Sequence, residues 1–263
     1  MRIHHLDCAT LCTAAGRFAV GPDHPGLVCH CLLLETEASL VLVDSGIGTH
    51  DVHRPDRLGR AFLHLVRPLL DPERTAVRQI ERLGFSAADV RHVVLTHLDV
   101  DHAGGLSDFP HAKVHVTLQE HEAAMLADGI RARRRYRERQ WAHWPDFELY
   151  LTRGVHWHGL EAIDLRGVPD TLLVPLFGHT QGHAGVAVRD GEQWWLHAGD
   201  AYFHRAELEG GRPPVVLGLM ERFNESDRTA RLASLDGVRR VARQGVRVFS
   251  AHDPVEFQRS LEA

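Results

Sequence analysis

The stretch HVVLTHLDVDHAGG, residues 92–105, decides how this chain is read. Its first five residues, 92–96, are mostly apolar and β-branched, and they read as a buried strand. The strand runs straight into four potential metal donors, His97, Asp99, Asp101 and His102. His97, Asp99 and Asp101 are two apart, so an extended backbone would point all three the same way. His102 breaks that alternation and implies a turn, and Gly104-Gly105 supply backbone freedom for a tight passage onward. Donors packed this closely need a counter-charge, which a cation supplies.

Three more apolar runs end the same way. TLLVPLF (171–177) leads into Gly178-His179-Thr180-Gln181-Gly182-His183, EQWWLHAG (192–199) into Asp200, and VRVFSA (246–251) into His252. Strand ends of one layer lie side by side at a rim, so donors distant in sequence can meet there. Upstream, RIHHLDCAT, LVCHCLLLE and SLVLVDSG read as strands, the last two covered on both faces because neither alternates strictly. Helices are expected over Glu73–Leu83, over 118–127 and over Asp227–Arg243, with Ser226 as N-cap of the last. A strand is expected at Lys113–Val116. Residues 129–170, with arginines, tryptophans and scattered Gly and Pro, read as part of a helical and loop insertion at about 119–170. The expected architecture is α/β: an αββα four-layer sandwich of two mixed β-sheets with helices on the outer faces, one domain over 1–263.

The 263 residues are 44% hydrophobic and 25% charged, enough to bury a core without a disulfide scaffold. The net charge of −5 gives no global attraction for nucleic acid or a membrane surface. No apolar run is long enough to span a bilayer, and the opening MRIHHLDCATLC has histidines and an aspartate where a secretory leader needs apolar residues. A cytoplasmic protein is expected. Cys8, Cys12, Cys29 and Cys31 fit no common zinc knuckle and read as reduced thiols packed as small apolar groups; Cys29 and Cys31 share a strand face.

The ordered set HLDVDH (97–102), GHTQGH ending at His183, AGDA with Asp200 and AHD with His252 resembles the metallo-β-lactamase superfamily, whose signature is HxHxDH followed by His, Asp and His. VLVDSG, with Asp44, looks like that family's early aspartate, which buttresses the metal loop. The resemblance implies two divalent cations, zinc, manganese or iron. His97, Asp99 and His183 would hold the first, and Asp101, His102 and His252 the second, with Asp200 between them. It also implies hydrolysis by a bridging hydroxide, with Asp101 orienting the water and carrying protons.

One position departs from the signature: Asp99 stands where the second histidine is usual. The extra carboxylate brings the centre near neutrality, shifts preference from zinc toward harder ions such as manganese or iron, and weakens attraction for strongly anionic substrates. Tyr202 lies two residues after Asp200, one short of the tyrosine that assists in lactonases of the family; it is balanced between an oxyanion donor and packing. His179 and Thr180 are expected to brace the GHTQGH turn. His197 or His204 could support the ligands from behind, His204 being the more surface-like. The segment RARRRYRERQWAHW (131–144) reads as a solvated face or as an anion-contacting flap over the metals.

The resemblance is closest to the lactonase and glyoxalase-II-like branches. It implies cleavage of an ester, lactone or thioester of a small molecule. The alternatives are a phosphodiesterase or nuclease, which the overall acidity opposes, and a non-heme di-iron redox enzyme. A small-molecule substrate is the expected partner, and a homodimer is left open.

Overall fold

The computed structural model describes residues 1–13, 20–21, 23–151 and 154–262. The first sheet contains β1 (Arg2–Leu11), β2 (Leu27–Glu35), β3 (Leu40–Val43), β4 (Pro68–Leu69), β5 (Val90–Val94), β6 (Lys113–Thr117) and β7 (Asp146–Tyr150). The second contains β8 (Val155–Trp157), β9 (Leu160–Asp164), β10 (Thr171–Pro175), β11 (Ala184–Asp190), β12 (Gln193–His197) and β13 (Arg247–Phe249). Strand orders are β4-β1-β2-β3-β5-β6-β7 and β13-β12-β11-β10-β9-β8. Both sheets are mixed. β3, β5, β6 and β7 pair in parallel and β1, β2 and β3 antiparallel, while β12–β13 is the parallel pair of the second sheet.

Side-chain alternation along β2 shows why the layers stack. Leu32 and Leu34 face the second sheet, joining Val41, Val43 and Val94 against Leu173, Val186, Val188 and Phe249. Cys29, Cys31 and Leu33 face the other way, toward Ala76 and Ile80 of the helix Ala76–Arg82 and Ala124 of the helix Leu118–Met125. Each fully buried leucine here is worth about 1.5–3 kcal/mol against exposure. On the far side, Leu235, Val238 and Val241 of the helix Arg228–Arg243 cover Leu172, Val174, Ala187 and Leu196. Helix, sheet, sheet and helix are the four expected layers. The cysteines are free thiols, and Cys8, Cys29 and Cys31 are buried.

Several elements differ from the sequence reading. Asp146–Tyr150, Val155–Trp157 and Leu160–Asp164 are strands β7, β8 and β9, which extend both sheets, where an insertion of helices and loops was expected. Their aromatic and charged residues hide the alternation, because β7 and β8 lie at sheet edges with one side open. The helix Arg228–Arg243 is capped by Asp227, which accepts from the Ala230 amide at 3.0 Å, and Ser226 instead donates to the Gly178 carbonyl at 3.0 Å. Helices Val215–Asn224 and Pro254–Leu261 were not anticipated. Among the described residues no helix is long and apolar enough to cross a membrane.

Candidate metal centre

The chain leaves β5 at Val94, bends at Thr96 and again at Asp99, and Asp99 stands at the N-cap position of a single helical turn, Val100–Ala103. Asp101 is therefore displayed by a helical turn, and not by the extended run that the spacing suggested, while His102 lies in the turn expected of it. Asp44 holds this loop from the end of β3. Its carboxylate accepts from the Thr96 amide, the Thr96 hydroxyl and His102 Nδ1, each at 2.8 Å. Burial favours the neutral acid, but the paired His102 overrides it and keeps the Asp44 pKa low.

These second contacts fix which ring nitrogen faces inward. His102 uses Nδ1 on Asp44, so Nε2 lies 3.3 Å from Asp200 Oδ1. His252 uses Nδ1 on the Val28 carbonyl at 2.8 Å, so Nε2 lies 3.2 Å from Asp200 Oδ1 and 3.8 Å from Asp101. His97 Nδ1 meets the Thr96 hydroxyl at 3.0 Å, and its Nε2 lies 3.3 Å from Asp99 and 3.8 Å from Asp200. Burial and the neighbouring His102 push the His97 pKa down to about 4, which leaves a neutral imidazole with a free lone pair. Burial would raise the Asp200 pKa, yet His252, His102 and His179 together hold it well below the usual range. Burial also raises the Asp101 pKa, against the pull of His102 and His252.

The GHTQGH turn brings a different histidine to the cluster from the one expected. His179 Nε2 lies 3.2 Å from Asp99 and 3.3 Å from Asp200, and it groups with His97 and Asp99 as a potential cation-binding set. His183 spends both ring nitrogens on backbone: Nδ1 at the Leu176 carbonyl, 2.7 Å, and Nε2 accepting from the Asp200 amide, 2.9 Å. His183 therefore shapes the turn that presents Asp200. Gly199 makes this fit possible: with φ +54, it packs so closely that a Cβ there would lie 2.5 Å from His183 Nε2. The two histidines of G-H-x-x-G-H are equivalent donors on paper; only the register of the turn after β10 separates them.

Thr180 does brace the turn, donating to Glu120 at 2.5 Å. Glu120 was not anticipated. It is fully buried and also accepts from the amides of Leu98, 2.9 Å, and Gly182, 3.2 Å, so one carboxylate ties the HLDVDH loop to the GHTQGH turn. The available signal was a glutamate three residues after Thr117, the N-cap of its helix. Arg135, the last residue of the helix Gly129–Arg135, reaches into the cluster and grips Asp99 with both Nε, 2.6 Å, and Nη2, 2.8 Å. The rest of that helix is largely exposed, as the solvated-face reading holds.

Tyr202 is fully buried, and its hydroxyl donates to Glu256 at 3.1 Å. Phe203 is the aromatic at the site, its ring 5.9 Å from that of His179 and 5.2 Å from that of His252. His197 is buried behind Asp200, bonded to the His30 carbonyl at 2.6 Å and the Gly199 amide at 3.2 Å. His204 is also buried, contrary to the surface placement expected, and caps the short helix Arg205–Leu208 through the Ala206 amide. Cys29 forms a further group of potential donors with Asp101 and His252.

These residues fit a cation. His97 Nε2, His102 Nε2 and Asp200 Oδ1 are buried, make no hydrogen bond among the described residues, and lie within 4.8 Å of one another. Buried polar atoms aimed at one point without partners are costly unless a ligand satisfies them. Beside Arg135 and Thr180 opens a groove of about 640 Å³, apolar along Ala123, Leu126 and Ala127 and polar at Arg131 and Gln181. A second cleft of about 680 Å³ lies at the amino-terminal edge, around Arg2, His4 and Arg82, away from these donors.

The sequence profile described as the metallo-beta-lactamase superfamily matches residues 24–242. A probable metallo-hydrolase of Mycobacterium tuberculosis is 41% identical over 98% of this chain and 82% of its own length. An N-acyl homoserine lactonase of Rhizobium johnstonii is 30% identical over 72% of this chain and 68% of its own. Among solved structures, the B. thuringiensis protein AiiA, with N-decanoyl-L-homoserine bound at its active site, superposes with a TM-score of 0.74 at 21% identity, over 97% of this chain and 94% of that one.

Proposed function

The chain belongs to the metallo-β-lactamase superfamily and is a metal-dependent hydrolase of that fold, and on that premise we propose that it opens a lactone or related ester of a small molecule at a two-cation centre. Three buried, unbonded atoms facing one another, His97 Nε2, His102 Nε2 and Asp200 Oδ1, carry the reading. His97, Asp99 and His179 would hold one cation and Asp101, His102 and His252 the other, with Asp200 between; the mixed imidazole and carboxylate donors suit zinc, manganese or iron. Such a centre supplies an activated water and polarises the carbonyl oxygen under attack.

The chain's own groups do the positioning. Asp44 and the Val28 carbonyl hold the His102 and His252 rings so that Nε2 faces inward. Asp101, whose pKa burial raises, is the group suited to take and return a proton beside the attacked carbon. Phe203 walls the site between His179 and His252 and excludes bulk water there. The groove beside Arg135 is of a size for a small organic substrate, and its apolar side favours an acyl chain. That relatives bear the name N-acyl homoserine lactonase supports a lactone over other esters as the substrate here.

The test is metal quantification of protein purified without chelators, followed by assays on lactone, thioester and phosphodiester substrates. Bound divalent metal with lactone or ester turnover is expected. Metal-loaded protein that splits only phosphodiesters, or none of these bonds, would overturn the substrate assignment.

A further inference from the structure

We infer that Arg135 is a built-in competitor for the first cation position, so that the two cations bind with unequal affinity and the one at His97, Asp99 and His179 enters only as the guanidinium withdraws. The inference rests on the two-cation reading and adds to it an order of loading.

Arg135 is bound as if in a socket. Nε and Nη2 fork onto the two oxygens of Asp99 at 2.6 and 2.8 Å. Nη2 also donates to His179 Nε2 at 2.6 Å. Nη1 donates to the carbonyls of His179, 3.1 Å, and Asn224, 2.6 Å. A guanidinium has five N–H donors, and here all five have acceptors. The side chain is only 17% exposed.

Two of those acceptors, Asp99 Oδ2 and His179 Nε2, belong to the donor set a first cation would use. The lone pair on His179 Nε2 cannot serve the guanidinium and a metal together. At Asp99, two positive charges would meet on one carboxylate. Loading the first position therefore requires Arg135 to leave, which exposes two carbonyls it had satisfied. The second position has no such rival: among the described residues no arginine or lysine is paired with Asp101, His102 or His252.

This account also explains the departure at Asp99. A carboxylate accepts the planar fork of an arginine on two oxygens; an imidazole has no matching pair of acceptors. Asp99 and Arg135 thus form one device, assembled from residues 36 apart. A withdrawn state populated at about 1–10% lowers apparent affinity at the first position by about 10–100-fold.

The experiment is calorimetric titration of metal-free protein with Mn²⁺ and, separately, Zn²⁺, with stoichiometry checked by elemental analysis after dialysis. Wild type should bind two equivalents in steps separated by about tenfold or more, or retain one on dialysis. Arg135→Met should bring the two steps together. Asp99→His, which removes the acceptor and leaves the arginine in place, should do the same and decides the matter if the first variant folds poorly. Two equal steps in wild type, or unequal steps that neither variant narrows, would overturn the inference while leaving the hydrolase reading intact. Failure of wild type and both variants to bind any cation would overturn both.

Discussion

Asp44 Oδ2 lies 2.8 Å from His102 Nδ1, so a carboxylate at the end of one strand chooses which nitrogen its neighbour's imidazole turns toward the cluster. Asp44 does this from a left-handed backbone, φ +53, which is uncommon for a residue other than glycine. Asp44→Asn cannot accept from His102 and the Thr96 groups as a carboxylate does. Its cation affinity should fall by about 10–100-fold in competition with a chromophoric chelator. Unchanged affinity would remove Asp44 from the support of the site.

His179 and His183 should respond oppositely. His179→Ala removes a ring that faces Asp99 and Asp200, so it should lower bound metal with little change in melting temperature. His183→Ala orphans the Asp200 amide and the Leu176 carbonyl, costing about 1–3 kcal/mol of stability. Metal content and urea denaturation of both variants check this, and the reverse pattern would restore His183 as the ligand.

Tyr202→Phe should leave kcat within about twofold and cost about 1 kcal/mol in denaturant, because it deletes one buried hydrogen bond to Glu256. Burial, with Asp253 beside it, pushes the Glu256 pKa up to about 8. A fall in kcat of tenfold or more at unchanged stability would show that the hydroxyl takes part in the reaction after all.

Behind the site, Arg231 pairs with Glu225 at 2.8 Å and stands 3.7 Å from both Glu207 and Glu221, all of them buried. Glu221 in turn accepts from the Phe203 amide at 2.9 Å, which links this cluster to the wall of the centre. Burial and the adjacent Glu207 push the Glu221 pKa up to about 9. Arg231→Met leaves this acidic pocket without its cation and should cost about 3–5 kcal/mol in guanidinium unfolding. A loss under about 1 kcal/mol would mean that the carboxyls re-pair or take up protons without penalty.

The buried His30 and His197 and the half-buried His5 form a group between the sheets, with His5 Nδ1 2.8 Å from His30 Nε2 and the His30 ring stacked on Phe249. Burial, then His197 and His4, push the His5 pKa down to about 4, and burial lowers those of His30 and His197. The unfolded chain binds protons near pH 6.5, before these folded-state groups do. Their stabilisation is therefore complete above about pH 6.5 and is lost as pH falls, for His5 by about 1.4 kcal/mol per unit down to about pH 4. His5→Asn should flatten the slope of unfolding free energy between pH 6.5 and 4.5; an unchanged slope would mean that His5 is protonated in the folded protein.

The layered architecture was legible because β2 and β3 are almost wholly apolar and β5 largely so, a pattern that suits strands covered on both sides. The donors were legible because each follows such a strand. β7 and β8 were not, since edge strands need bury only part of their surface and carry a weak pattern, and the five-residue β9 between β8 and β10 alternates too briefly to stand out.

By itself the amino-acid order determined the strands that carry the donors, which donors follow them and that Asp99 breaks the family signature, because periodicity and spacing are local properties. Only the tertiary structure turned His179 Nε2 toward Asp99 and Asp200 while both His183 nitrogens met backbone, buried Tyr202 against Glu256, and delivered Arg135 to Asp99. Each of those outcomes depends on where a turn or a helix end lies relative to a distant loop. Contacts across such separations are set by packing of whole layers, and no window of sequence contains them.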